Sequence, residues 1–305
     1  MTPEPAPSDS RTTPLVVHAA LLLVAVLFGA NYVVAKVALR EVTPEGLVVI
    51  RTWGTAAMLF AASGLWRRRA PRPRLTARDL GQLLLYGLLG ASLNQICFLE
   101  GLVRSTATNA GLMFASIPLL TLALAVVLRR ERATLSGVAG VTIGLVGALL
   151  LIVPRGGVDF TSRTATGNLL LLLSGASYAL YLVLTRPILA RLDPLTVVSW
   201  VFLLAALTVT PVGAGAVRDL VGSGASGAGW ASIAYVVIGG TAVPYLLNNW
   251  ALVRVRSSLV AVYILVQPIV AGSLGRVFLH EQLGPHTAIA ALLIVAGVML
   301  SGWRR

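Results

Sequence analysis

Charged side chains are scarce in this 305-residue chain, and their scarcity excludes an ordinary soluble fold. Only 11% of the residues are charged, whereas 57% are hydrophobic. A soluble domain needs about a quarter of its residues charged to cover its surface. The mean hydropathy of +0.86 points the same way. The composition therefore predicts an all-α integral membrane protein whose main solvent is the lipid bilayer.

Cysteine and lysine are nearly absent. Cys97 is the single cysteine, which excludes a disulfide framework and a cysteine-based metal site. Lys36 is the single lysine, so the net charge of +13 comes from arginines that stand in short clusters between apolar runs. The sequence has no basic domain, no platform of arginine and aromatic residues and no zinc-finger spacing, and we expect no nucleic-acid partner.

Motifs for enzymatic chemistry are also missing. The sequence contains neither the phosphate-binding pattern GxxxxGK[ST] nor HExxH nor a cluster of Cys and His. The stretch "GVAGVTIG" at 137–144 follows no predicted strand, and spaced small residues in an apolar helix favour close helix packing. The sequence predicts no enzyme, no cofactor and no metal.

Long apolar runs are abundant, and a helix needs about 20 mostly apolar residues to cross a bilayer. Residues 1–14, which precede the first run, are polar and proline-rich and predict a disordered tail rather than a cleaved signal peptide. Ten runs qualify as spans: 15–38, 45–66, 80–101, 107–128, 134–153, 167–186, 195–214, 229–250, 257–279 and 285–303.

The arginines predict the orientation of these spans. With a cytoplasmic N-terminus, sixteen arginines fall on the cytoplasmic side, among them the run "RRRAPRPRLTAR" at 67–78, and five fall on the outer side. Cytoplasmic loops carry the excess of basic residues. We therefore expect a multi-pass plasma-membrane protein with both termini in the cytoplasm.

The second half of the chain repeats the first at an offset of 150 residues. Proline, glutamate and glycine recur in register, as Pro118 with Pro268, Glu131 with Glu281 and Gly90 with Gly240. The repeat predicts two five-helix halves, 15–153 and 167–303, joined by a polar linker at 154–166. An odd number of spans in each half inverts the second half relative to the first, an arrangement that recurs in secondary transporters.

Several of these stretches resemble a known family. The first helix "LFGANYVVAKVAL", Arg51 early in the second, the stretch "STATNAGLMFASIPLLTLALA" and a glutamate closing helices 4 and 9 are similar to the EamA branch of the drug/metabolite transporter superfamily. The second copy departs from the pattern, because Arg51 becomes Val201 and "STATNAGL" becomes "VRSSLVAV". The resemblance implies an exporter of metabolites or amino acids in the inner membrane of a bacterium.

Polar side chains inside the spans are the candidates for a substrate site, since they are costly in lipid and should face a cavity or each other. Those of helix 3 are expected to face the region around Tyr245 in helix 8. Arg51 could pair with a substrate carboxylate, or it could bind helix carbonyls as a structural lock. The candidates are Asn31, Tyr32, Arg51, Asn94, Gln95, Tyr178, Tyr181, Asn248, Asn249, Tyr263 and Gln267.

The repeated prolines and glutamates have a different expected role. Pro118 and Pro268 should break or bend the spans that line the path. Glu131 and Glu281 fall at opposite membrane faces, and we interpret them as structural anchors or gate elements. His18 is interpreted as an interfacial histidine rather than a proton relay.

The sequence favours a secondary transporter that exports an amino acid or similar small polar metabolite by alternating access. One alternative is a proton-coupled exporter of drugs or quaternary cations, which would need an acid in a span. Glu100 could serve, although its spacing from Arg104 predicts a local ion pair. The other alternative is a membrane scaffold that transports nothing. The substrate, the coupling ion, the direction of net transport and the oligomeric state stay open.

Overall fold

The computed structural model describes residues 13–66, 75–105, 110, 113–152, 162–267, 269–270, 273–274 and 285–302. Pro268, Glu281, most of the tail at 1–14 and most of the linker at 154–166 lie outside the described residues.

Within the described ranges the chain is helical and contains no strand, which confirms the predicted all-α class. The first half forms α1 (Thr13–Ala38), α2 (Pro44–Trp66), α3 (Ala77–Arg104), α4 (Ile117–Val127) and α5 (Leu135–Ile152). The second half forms α6 (Ser162–Thr185), α7 (Pro194–Ser223), α8 (Gly227–Leu252), α9 (Ser257–Val266) and α10 (Pro285–Gly302).

Six of these helices, α1, α2, α3, α6, α7 and α8, are long and apolar enough to cross a membrane. The described parts of α4, α5, α9 and α10 form shorter apolar helices. Helix α7 runs nine residues past the expected end of its span at 214. Its extension packs on the start of α2, where a Cβ at Gly46 would lie 2.9 Å from Ala216.

The packing of the helices is the same when the two halves are exchanged. Helix α2 packs on α7, α4 on α9 and α5 on α10. The contact of α3 with α6 has its counterpart in α8 with α1, and the contact of α4 with α6 has its counterpart in α9 with α1. Each such pair joins the two halves, so the halves are interleaved rather than set side by side.

Two of the long helices contain a π-helical turn at corresponding positions. The turn in α3 is Leu88–Leu93 and the turn in α8 is Ile238–Ala242, which begin 150 residues apart. Each turn carries a glycine against which a large side chain from the other half packs. A Cβ on Gly90 would collide with the ring of Tyr181, and a Cβ on Gly240 would collide with Oδ1 of Asn31.

Helices α5 and α10 approach each other closely along their backbones, as the glycines of 137–144 predict. A Cβ on Gly297 of α10 would lie 2.5 Å from the nitrogen of Gly144 and 2.6 Å from the carbonyl oxygen of Gly140. Gly147 meets the carbonyl oxygen of Ala290 in the same way, at 2.8 Å. Small residues let membrane helices approach in this manner.

We expect Gly297→Ala to lower the midpoint of thermal unfolding in detergent, because backbone atoms cannot yield to the added methyl group. Overpacking of this kind costs about 1–3 kcal/mol. Fluorescence-detected size exclusion after heating measures the midpoint. Gly81→Ala is the control, since a Cβ there meets no described atom within 4 Å. A midpoint no lower than that of the control would contradict the close contact.

Candidate functional site

A cavity of about 470 Å³, counted with the space at its open mouth, lies among α1, α2, α3, α4, α6, α8 and α9. Both halves contribute to its wall, which combines a cation, amides, phenols and apolar rings. No described residue of the wall is an acid. The wall consists of Phe28, Asn31, Tyr32, Arg51, Asn94, Gln95, Phe98, Phe114, Ile117, Tyr178, Tyr245, Ile264 and Gln267.

Arg51 is the only charged residue in this wall as described, and its side chain is fully buried at 1% exposure. Its Nε and Nη2 donate to Oγ1 of Thr241 at 3.0 and 2.8 Å, and Nη2 also donates to the carbonyl oxygen of Gly240 at 3.0 Å. The hydroxyl of Thr241 in turn donates to the carbonyl oxygen of Val236. Arg51 therefore locks α2 to the π-helical turn of α8.

The lock leaves part of Arg51 unused. Among the described residues, Nη1 of Arg51 has no acceptor although it is buried. Oδ1 of Asn31 is buried and lacks a donor in the same sense, and Asn31 packs on Gly240, whose carbonyl binds Arg51. Buried polar atoms without partners are rare because each costs free energy. Arg51, with an unpaired donor, and Asn31, with an unpaired acceptor, therefore both contact Gly240 and line one cavity.

Polar residues of α3 and α8 cross near the base of the wall. Nε2 of Gln95 donates to the hydroxyl of Tyr245 at 3.1 Å, and that hydroxyl donates to the carbonyl oxygen of Gly90 in the π-helical turn of α3. Asn94 bonds to Ser174 of α6 through its amide and its backbone carbonyl. These contacts hold the two halves together and also fix the amides that face the cavity.

Aromatic rings form the apolar part of the wall. Tyr32, Phe98 and Phe114 pack mutually with ring centroids 5.5 to 6.0 Å apart. Phe28 makes edge contacts with Tyr178 and Tyr245 at 6.4 and 6.2 Å. Edge-to-face packing at these distances is favourable, so the rings are held rigidly.

A second, smaller cavity adjoins the first and shares Phe28, Tyr178, Ile264 and Gln267 with it. It has room for about one water molecule. Nδ2 of Asn248 donates to the hydroxyl of Tyr178 at 2.7 Å, and the hydroxyl of Tyr32 donates to Oε1 of Gln267 at 3.0 Å. The polar wall thus continues from the first cavity into the second.

The structure brings together most of the residues proposed from sequence. The larger cavity is lined by Asn31, Tyr32, Arg51, Asn94, Gln95, Tyr178 and Gln267. Asn248 and Tyr263 line the smaller cavity. Tyr181 and Asn249 bond to each other, with Nδ2 of Asn249 2.6 Å from the phenol oxygen, and line neither cavity as described. Substrate binding by these residues stays a prediction.

Sequence reasoning missed the apolar part of the wall. Aromatic and aliphatic residues are ordinary in lipid-facing helices, so nothing in a single sequence marks those that face a cavity. Tyr245 is the exception, because it lies exactly one repeat after Gln95 and could have been chosen on that ground. The missed residues are Phe28, Phe98, Phe114, Ile117, Tyr245 and Ile264.

The proposed gate residues that the structure describes are Pro118 and Glu131. A turn at Ser116 separates a short helical stretch at 113–115 from α4, and Pro118 lies in the first turn of α4. The carboxylate of Glu131 is buried and accepts hydrogen bonds from the hydroxyls of Ser257 and Ser258 and from the amide of Ser258 at the start of α9. Any role in gating stays a prediction for both.

Glu100 lies away from both cavities as described. It forms an ion pair with Arg104 one turn along α3, as their spacing predicts, and Arg104 also donates to the backbone carbonyl of Glu100.

The fold and the cavity define a multi-pass helical membrane protein with an internal polar site. The model of the EamA-like transporter family matches the chain twice, over residues 16–153 and 165–303. The chain therefore belongs to this family, a branch of the drug/metabolite transporter superfamily, and is a membrane transporter.

Several known proteins align with this chain over most of their length. An uncharacterised transporter of Archaeoglobus fulgidus is 25% identical over 93% of this chain and 96% of its own. The uncharacterised transporter YcxC of Bacillus subtilis is 27% identical over 92% and 91%. A WAT1-related protein of Arabidopsis thaliana is 24% identical over 93% and 88%. A solved crystal structure shares the fold with a TM-score of 0.73 at 21% identity, covering 94% of this chain and 96% of that one.

We expect Thr241→Val to lower the thermal unfolding midpoint, because Arg51 would lose the acceptor of its Nε and one acceptor of its Nη2. A buried donor left without its partner costs about 1–3 kcal/mol. Thr210→Val is the matched control, since Thr210 accepts a hydrogen bond from Trp53 on the exposed side of α2. Equal midpoints for the two variants would contradict the lock.

Proposed function

We propose that this protein exports an amino acid or a closely related small polar metabolite, and that the larger cavity is its substrate site. The observation that carries the proposal is Arg51, a buried cation with a free Nη1 in a wall without a described acid. A cation in this position favours a ligand that carries a carboxylate, because a charge-assisted hydrogen bond then satisfies both groups. It disfavours a ligand with net positive charge.

The neighbouring atoms favour a ligand that also donates a hydrogen bond. Oδ1 of Asn31 lacks a donor and packs on the same glycine that Arg51 binds. An amino acid carries a carboxylate and an ammonium group on one carbon. The carboxylate would accept a hydrogen bond from Nη1 of Arg51, and the ammonium group would donate one to Oδ1 of Asn31. The rings of Tyr32, Phe98 and Phe114 then provide an apolar surface for the side chain.

Alternating access is supported by the exchange symmetry of the helix contacts. We infer ten spans in two inverted halves, 15–153 and 167–303, with both termini in the cytoplasm of a bacterium. Contacts between helix ends agree with the assignment of these ends to the same membrane face. Asp79 pairs with Arg191, 2.6 Å apart, at ends assigned to the cytoplasm, and Ser226 donates to Glu41 at ends assigned to the outside.

The broken helices suggest where movement occurs. A turn at Ser116 breaks the helical run just before α4, and α9 passes into a 3₁₀ turn at Tyr263–Val266. Both breaks lie beside residues of the cavity wall, and discontinuous helices near the midplane are typical of transporter binding sites. We infer that Pro118 and Pro268 permit bending there, and that Glu131 and Glu281 anchor the ends of α4 and α9.

A proton-coupled exporter of cationic drugs is the main rival. It would need an acid that faces the cargo, and the acid nearest to mid-span in α3, Glu100, is already paired with Arg104. Glu100→Gln should therefore leave amino-acid flux nearly unchanged in proteoliposomes. On the rival reading the same variant abolishes proton-driven efflux of a cationic dye, so measuring both fluxes separates the two.

We expect Arg51→Met to reduce the flux of neutral amino acids by at least about tenfold, because the substrate would lose one charge-assisted hydrogen bond. Counterflow of a mixture of radiolabelled neutral amino acids in proteoliposomes measures it. Trp53→Phe, on the exposed side of the same helix, is the control for altered packing of α2.

Because Arg51 also supports α8, its loss could impair folding, and Asn31→Leu keeps the test decisive. Asn31 accepts no described hydrogen bond through Oδ1, so this variant should fold and still lose flux. Unchanged flux in a monodisperse Asn31→Leu protein, or no saturable flux in the unsubstituted protein, counts against the proposal. A scaffold that transports nothing would give the second result.

A further inference from the structure

His18 makes a contact that an interfacial histidine does not need. Its Nδ1 is hydrogen-bonded to the hydroxyl of Tyr263, which joins α1 to α9, and the two rings lie 5.9 Å apart. Tyr263 also lines the smaller cavity, which shares four lining residues with the larger one. His18 is only partly buried, so its other ring nitrogen can remain hydrated.

The smaller cavity contains an acceptor that lacks a donor. Asn248 is 3% exposed, and its Oδ1 has no hydrogen-bond partner among the described residues, whereas its Nδ2 is bonded to Tyr178. Tyr263 and Asn248 line the same cavity, whose size allows a direct contact or one bridging water. Asn248, with its unpaired acceptor, and Tyr263 thus line one small cavity.

We propose that His18 is a proton-binding site that closes the cytoplasmic end of the transport cavity when it is protonated. A neutral imidazole nitrogen accepts the hydrogen bond of Tyr263, whereas a protonated imidazole can only donate. Protonation therefore reverses the bond, so that Nδ1 donates to the phenol oxygen of Tyr263. The phenol keeps its own proton, which no longer has His18 as its acceptor, and the hydroxyl donates instead to Oδ1 of Asn248.

The reversed bond joins two separate helix pairs into one chain of four helices. In the neutral state Tyr263 connects α9 only with α1, while Asn248 of α8 has its bond to Tyr178 alone. In the protonated state a chain of hydrogen bonds runs from His18 through Tyr263 and Asn248 to Tyr178, which borders the larger cavity. The proton stays on His18, and no other group changes its charge.

The charged groups described at this end of the neighbouring helices are already engaged. Arg254 after α8 stacks on Trp250 at 3.9 Å, and Arg256 before α9 donates to the carbonyl oxygen of Ser301 in α10. Glu131 after α4 is held by the serines at the start of α9. Imidazole is the side chain that ordinarily changes charge between about pH 5 and 8.

Thiol labelling measures the opening directly and needs no substrate. In a chain with Cys97→Ala, Val24→Cys places a thiol in the wall of the smaller cavity. A charged methanethiosulfonate reagent is added from the cytoplasmic side of oriented vesicles. The labelling rate of Val24→Cys is divided by the labelling rate of Leu135→Cys, an exposed reference site. We expect this ratio to fall about tenfold from about pH 8 to about pH 5.5, the change that one added hydrogen bond gives.

Two variants test the pathway of the effect. His18→Gln keeps a donor and an acceptor but does not titrate, and Tyr263→Phe removes the connecting hydroxyl, so both should make the ratio independent of pH. His286→Gln, at the start of α10, should retain the dependence. A ratio independent of pH in the unsubstituted protein, or a fall that persists in either of the first two variants, would overturn the proposal.

The inference rests on the proposed function only in taking the two cavities as one pathway. If the ratio responds to pH as expected while no amino acid is carried, the substrate assignment fails and the proton site stands. If amino acids are carried and the ratio does not respond, the proton site fails alone.

Discussion

The buried guanidinium of Arg51 sets the constraint on which the rest of the site depends. A charge inside a membrane bundle is costly unless it is paired or faces water. Here a single side chain meets part of that requirement by crossing from α2 to α8, where Thr241 and Gly240 accept three hydrogen bonds. Both acceptors lie in the π-helical turn of α8, and such turns are frequent at functional sites. The free nitrogen is a consequence of this partial pairing.

A symmetric scaffold carries an asymmetric set of side chains. The two π-helical turns recur at an offset of 150 residues, and each provides a glycine that a side chain of the other half approaches. The approaching side chain is the phenol of Tyr181 at one turn and the amide of Asn31 at the other. Arg51 likewise has Val201 as its counterpart. The scaffold can thus exchange its two halves while the cavity keeps one cationic end.

Much of the fold could be predicted from composition and repetition, because lipid imposes long apolar helices and the repeat fixes how many belong to each half. Asn31, Arg51 and Gln267 could be predicted to lie at the cavity because a polar group in lipid needs a partner. The wall of Phe28, Phe98 and Phe114 could not, since apolar rings satisfy the lipid and the cavity equally well. The π-helical turns also left no pattern in the sequence that separates them from ordinary helix.

The departure of the second repeat from the family pattern has a structural explanation at one membrane face. The stretch "VRSSLVAV" replaces "STATNAGL", and it supplies Ser257 and Ser258, which saturate the carboxylate of Glu131 without any cation. One repeat earlier, Ala107 and Thr108 stand at the positions of Ser257 and Ser258. Only one of the two serines that bind Glu131 therefore has a hydroxyl-bearing counterpart in the first repeat, so the side chains around this anchor are not repeated strictly although the acids are.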